Sequence, residues 1–163
     1  MYKKVLVPLD GSKLAECVLS HVEDIAKGCG TEEVVLVSVT ERIMGLGERR
    51  VIHATEPIPA AEPVVRVPVV VGKMQRQAER YLNRIAKRLD KKGIKVRTEV
   101  LLGDPAHEIA SFAEKDGDGL IIMASHGRSG LSRWTHGSVA DRVFRHSTVP
   151  VLMVRALVAA PAA

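Results

Sequence analysis

A chain of 163 residues, 46% hydrophobic and 26% charged, is long enough to bury one substantial core, cramped for two, and too apolar for intrinsic disorder. Two cysteines, Cys17 and Cys29, rule out a disulfide framework and a CxxC redox pair, and an aromatic content of 3% leaves no stacking platform for single-stranded nucleic acid. The net charge of +5 favours anionic partners without naming one.

The opening MYKKVLVPLDGS is broken by Pro8 and Asp10 before it can form the apolar region of a signal peptide, and no run approaches the length of a membrane span. A cytoplasmic protein with reduced cysteines is the expectation. Val5-Leu6-Val7 reads as a buried strand closed by Pro8, Asp10 and Gly11. Leu14, Val18, Leu19, Val22, Ile25 and Ala26 then follow at three- and four-residue steps, a helix capped by Ser12 and stopped by Gly28 and Gly30. Glu33 to Val39 reads as a second buried strand, which completes a βαβ unit.

Roughly residues 41 to 70, with Pro57, Pro59, Pro63 and Pro68, carry no regular period and read as a variable loop or insertion. Helical spacing resumes with Met74, Ala78, Tyr81, Leu82, Ile85, Ala86 and Leu89 on an apolar stripe ended by Gly93. The other face is basic: Lys73, Arg76, Arg80, Arg84, Lys87, Arg88, Lys91 and Lys92 stand against Glu79 and Asp90 alone. Such a face is most often simply solvated; membrane-surface or nucleic-acid contact is the minority reading, and neither is expected here.

Residues 94–101 alternate partly and suit a strand near a sheet edge. Asp104 and Pro105 are placed as N-cap and first residue of a helix that turns Ile109, Phe112 and Ala113 inward and ends at Gly117 and Gly119. Leu120 to Met123 is the most apolar strand and predicts an interior position. A helix from Ser138 with Val139, Ala140, Val143 and Phe144 on its stripe, and a strand over Pro150 to Val154, close the pattern. Short apolar strands alternating with amphipathic helices predict an α/β fold, an open parallel sheet with helices on both faces.

Ligands of such sheets bind beyond the carboxyl ends of the strands, where three polar clusters fall: Pro8 to Ser12, Ser38 to Thr40, and Ala124 to Ser138. The last reads ASHGRSGLSRWTHGS. Its glycines Gly127, Gly130 and Gly137 permit close backbone approach, and Gly137-Ser138-Val139 opens a helix whose free N–H groups favour an anion. A glycine-rich turn accounts for the same letters, and spacing alone does not decide between the two. Neither Walker A nor GxGxxG is present. His126, His136 and His146 at ten-residue steps match no metal-ligand spacing.

VLVPLDGS, GDPAHEI, LIIMASHG and HGRSGLSRWTHGSVADRVFRHSTVPVLMVR together resemble the universal stress protein family, in that family's order and spacing, over all but roughly residues 41 to 70. Its nucleotide motif, G-x2-G-x9-G-[ST], is met by Gly127, Gly137 and Ser138, with Ala124 in place of the first glycine. The resemblance implies a Rossmann-like, five-stranded parallel sheet of the adenine nucleotide alpha hydrolase-like kind, in one domain over residues 1–156 with a loose tail at 157–163. It implies ATP, or another adenine nucleotide, with Mg²⁺ or Mn²⁺ carried through the phosphates. Pro8, Leu9 and Asp10 would meet the adenine and ribose region, Val39 the adenine through its backbone. Ala124, Ser125, His126, Gly127, Arg128, Gly130, Gly137, Ser138 and Val139 would surround the ribose and phosphates. It further implies a homodimer joined through Val151 to Arg155, whose nucleotide state modulates protein partners in stress signalling, with at most slow hydrolysis because no catalytic set is recognisable. A nucleotide-free dimeric interaction module of the same fold is the alternative. If the first motif position requires positive φ, the Ala124 methyl costs on the order of 1 kcal/mol or more.

Overall fold

The structure, a computed structural model, describes residues 2–40, 69–117, 119–125 and 139–155. In chain order these form β1 (Lys4–Pro8), a 3₁₀ turn (Ala15–Val18), α1 (Leu19–Gly28), β2 (Glu33–Thr40), α2 (Val69–Asp90), β3 (Val96–Leu102), α3 (Pro105–Asp116), β4 (Gly119–Ala124), α4 (Val139–His146) and β5 (Val151–Val154). The strands make one sheet in the order β3-β2-β1-β4-β5, and every neighbouring pair is parallel.

The apolar runs are unbroken because both faces of the sheet are covered, and successive strand residues point to opposite faces. Val5 and Val7 of β1, with Val34 and Leu36 of β2, pack against the 3₁₀ turn, α1 and α2 through Val18, Val22, Leu82 and Ile85. Leu6, Val35 and Val37 turn the other way, onto Ile109 and Ala113 of α3 and Val143 of α4. Val5, Val7, Leu36, Leu82, Ile85 and Ile121 are wholly inaccessible, and each such side chain contributes about 1.5–3 kcal/mol by leaving water. β3 is half-buried along most of its length, as its partial alternation predicts for an edge strand.

Local chemistry sets the element ends. Asp104 caps α3 by accepting a hydrogen bond from the His107 backbone N–H (3.0 Å), with Pro105 behind it, as its sequence position predicts. Gly117 ends the same helix at φ 69°, a conformation that disfavours any side chain. The first helix departs from expectation in detail: Ser12 Oγ accepts from the Ala15 N–H (3.1 Å), but a 3₁₀ turn forms before α1 begins. Two residues assigned to apolar stripes are instead open to solvent, Met74 at 41% and Phe144 at 56%. Met74 lies in the early part of α2, a helix of 22 residues and so about 33 Å long, whereas β2 with 8 residues spans only about 26 Å. The helix outruns its cover. Phe144 belongs to the short α4, whose contact with the core is made by Ala140 and Val143.

At the amino ends of the strands a set of ion pairs ties β1, β2, β3 and α3 together. Arg97 Nη2 donates to both Asp116 carboxylate oxygens (2.9 and 2.8 Å), its Nε to Glu33 (3.3 Å) and its Nη1 to Glu99 (3.1 Å). Lys4 Nζ donates to the Asp116 carbonyl (2.9 Å) and carboxylate (3.3 Å). Burial works against the Arg97 charge, but the Asp116 hydrogen bonds and the surrounding carboxylates outweigh it and raise its pKa above the usual arginine value.

Candidate functional site

β1 pairs with β2 on one side and β4 on the other, all parallel, so their carboxyl ends meet at one edge of the sheet. The connections through α1 and α2 cover one face, and those through α3 and α4 cover the other. β1 is thus followed by helices on one face of the sheet and β4 by a helix on the other, the arrangement at whose carboxyl edge ligands of open parallel sheets bind.

Pro8 closes β1 opposite Val37, and Leu9 continues one step further by donating its N–H to the Val37 carbonyl (2.8 Å), which buries Leu9 to 3%. The chain then turns outward at Asp10, which is exposed; its Oδ1 accepts from the Ser12 N–H (2.9 Å) and holds the turn. Because alternate residues of a parallel strand face the same neighbour, the backbone groups of Val39 point to the side of β2 where Val37 meets β1. They lie past the point at which β1 has turned away. The Val39 side chain packs on the second core, and the adjacent Thr40 Oγ donates to the Leu101 carbonyl (3.3 Å).

Ala124 is the last residue of β4, in register with Val154, and the following Ser125 N–H donates to the Val154 carbonyl (2.9 Å). It is ordinary strand, a conformation with negative φ. The Ala124 methyl packs on the first core. Alanine at this position therefore carries no left-handed strain. Val139 opens α4 and is half-buried against the second core. Pro8, Leu9, Asp10, Val39, Ala124 and Ser125 all lie at the carboxyl edge. His126, Gly127, Arg128, Gly130, Gly137 and Ser138 fall outside the described residues.

Tyr81 stands on the apolar stripe of α2. Its ring packs on the first core, and its hydroxyl is buried near the Glu16 carboxylate but makes no hydrogen bond of good geometry among the described residues. Burial first, then the negative charges of Glu16 and Asp10, push its pKa up to about 12. The hydroxyl stays neutral, under the field of Glu16 first and of Asp10 after it. A lone tyrosine among aliphatic residues was the signal in the sequence; what its hydroxyl would face was not.

A doubly wound α/β domain, with its polar residues gathered where the β1 and β4 connections part, is the class of protein these features define. The chain belongs to the universal stress protein family, whose model matches residues 1–155. Universal stress protein MJ0577 of Methanocaldococcus jannaschii is 33% identical over 157 residues, 95% of this chain and 96% of that one. Its solved structure superposes with a TM-score of 0.73 over the same shares of the two chains. Universal stress protein YxiE of Bacillus subtilis is 30% identical over 160 residues, 95% of this chain and all of that one. More distant structures share the fold: a universal stress protein in complex with cAMP (17% identity, TM-score 0.60, covering 96% of this chain and 98% of that one) and an Arabidopsis thaliana family protein with AMP bound (15%, TM-score 0.60, covering 94% and 91%). Among the described residues no helix is long and apolar enough to cross a membrane.

Proposed function

We propose that this chain binds an adenine nucleotide, ATP in the first instance, at the carboxyl ends of β1, β2 and β4, and acts as a homodimeric signalling protein whose nucleotide state modulates its partners. The observation that supports the proposal is the direct pairing of β1 with β4, which brings Asp10 and Ala124-Ser125 to the ends of adjacent strands at the carboxyl edge. Asp10 would accept from the ribose, the Val39 backbone would meet the adenine edge, and the Gly127, Gly137 and Ser138 segment would receive the phosphates at the start of α4. Cyclic AMP and AMP in the two distant family structures support an adenine ligand. A Mg²⁺ or Mn²⁺ ion would be held through the phosphates, whose charge it would neutralise.

β5 supports the dimer. It pairs with β4 on one side, is an edge strand, and exposes Leu152 at 37% and Met153 at 41%. The dimer would form through Val151 to Arg155.

Titration calorimetry with ATP and Mg²⁺ tests the site. At a ligand concentration one hundred times Kd, binding to the folded state adds about 2.7 kcal/mol to its stability and raises Tm accordingly. Asp10→Ala is expected to weaken binding at least tenfold. No heat and no Tm shift at millimolar nucleotide would leave the nucleotide-free interaction module as the function. Light scattering of a Met153→Arg variant tests the dimer separately.

A further inference from the structure

We propose that the outward face of α2 is a docking surface for the phosphate backbone of double-stranded nucleic acid, bound without regard to base sequence. Lys73, Arg76, Arg80, Arg84, Lys87 and Lys91 are all exposed. At 3.6 residues per turn they fall within an arc of about 80°, opposite the buried Leu82, Ile85 and Leu89, and extend over about 27 Å. Glu79 and Asp90, the acids of this helix, lie outside the arc. Arg84 and Arg88 are engaged by Glu16 (3.3 and 3.1 Å) and Lys92 by Glu23 (2.6 Å). Among the described residues, Lys73, Arg76, Arg80, Lys87 and Lys91 have no carboxylate within ion-pair distance. An open groove of about 460 Å³ runs between Arg80, Asn83, Arg84, Lys87, Arg88 and Lys91.

The shape and chemistry of this face select the occupant. A straight row of cations, five of the six without a carboxylate partner among the described residues, matches a rod that carries one charge per about 1.7 Å of its axis. The few aromatics argue against single strands, which need stacking platforms, but leave contact with a duplex backbone untouched. A flat anionic membrane is a poorer match. The apolar side of α2 is spent in the core, and α1 in the same layer carries the exposed Asp24, with Glu16 and Glu23 at the boundary. A protein partner would need an apolar anchor to bury, and the groove offers none.

Fluorescence anisotropy with a labelled 25-base-pair DNA duplex, read from 50 to 200 mM NaCl, tests the proposal. Five neutralised phosphates give a slope of log Kobs against log salt of about −4.5, an affinity loss of about 500-fold over that range. Replacing Arg80, Lys87 and Lys91 together by Gln is expected to reduce the slope by about 2.7, and each substitution alone by about 0.9, which keeps the test usable should the triple variant misfold. A control that removes the same charge elsewhere, Lys3→Gln with Lys27→Gln and Lys95→Gln, is expected to leave the slope in place. The proposal is overturned if the duplex does not bind at 50 mM NaCl, or if control and α2 variants lose affinity equally. Tighter binding of polyglutamate or of phosphatidylserine vesicles than of the duplex, at equal charge concentration, overturns it too.

Discussion

Replacing Ala124 by glycine supplies the first glycine of the nucleotide motif that the sequence resembles, and its outcome separates two accounts of an alanine at this strand end. If the position were strained, glycine would relieve it and raise both stability and ligand affinity. The structure predicts the reverse for stability. Ala124 sits in strand conformation opposite Val154, so glycine adds only chain entropy to the unfolded state, about 0.5–1 kcal/mol. Its methyl packs, partly buried, on the first core, and removing it forfeits part of the roughly 0.8 kcal/mol that a buried carbon contributes. Together these predict a loss of about 1 kcal/mol, or a fall in Tm of about 2–4 °C for a chain of this size. Urea unfolding and calorimetry of the two proteins measure it directly, and ATP titration of both shows whether affinity moves. A variant more stable than the parent, or one that binds ATP ten times more tightly, would refute the conclusion that alanine is accommodated in regular strand.

Three further outcomes follow from groups described above. Tyr81→Phe removes a buried hydroxyl that makes no hydrogen bond of good geometry among the described residues and is expected to be neutral or stabilising by up to about 1 kcal/mol in urea unfolding. Because the folded pKa of Tyr81 is raised from 10 to about 12, its contribution is whole below pH 10 and is lost as the pH climbs toward 12; in Tyr81→Phe that alkaline loss is smaller, as absorbance-monitored unfolding checks. Asp104→Ala removes the α3 cap and is expected to cost about 1 kcal/mol near neutral pH. The Arg142 hydrogen bonds, then that from His107, hold the Asp104 carboxyl below the usual range, so its contribution is present above the unfolded value and fades as the pH falls through the lower folded one; the gap between parent and variant should close in acid. Arg97→Met leaves Glu33, Glu99 and Asp116 facing one another without their shared cation, and its destabilisation should be larger at 10 mM than at 500 mM NaCl.

The sequence carried the element order because each strand is covered on both faces and each helix on one, and those two demands write different periods into the chain. Asp104-Pro105 located a helix start to the residue, since capping is a local interaction that needs no tertiary context. Side chains at the margin of a stripe were less legible. Met74 and Phe144 have the spacing of core residues, but spacing does not say where the covering sheet stops. At the site, Asp10 and Ala124 were legible from the ends of apolar runs, while Tyr81 was not, because the role of its hydroxyl depends on a charge seventy-one residues away. The conformational consequence of Ala124 likewise required its pairing with Val154.

The ion pairs of Arg97, Asp116, Glu33 and Lys4 lie at the opposite end of the sheet from the carboxyl edge. They pin together three adjacent strands and a helix where no ligand is proposed to bind. The ion pairs and the proposed ligand site thereby fall at opposite ends of the sheet. Loops at the carboxyl edge can be rewritten, by evolution or by design, while the base that sets strand spacing stays fixed. One scaffold can in this way serve a lineage of proteins that differ in what they sense.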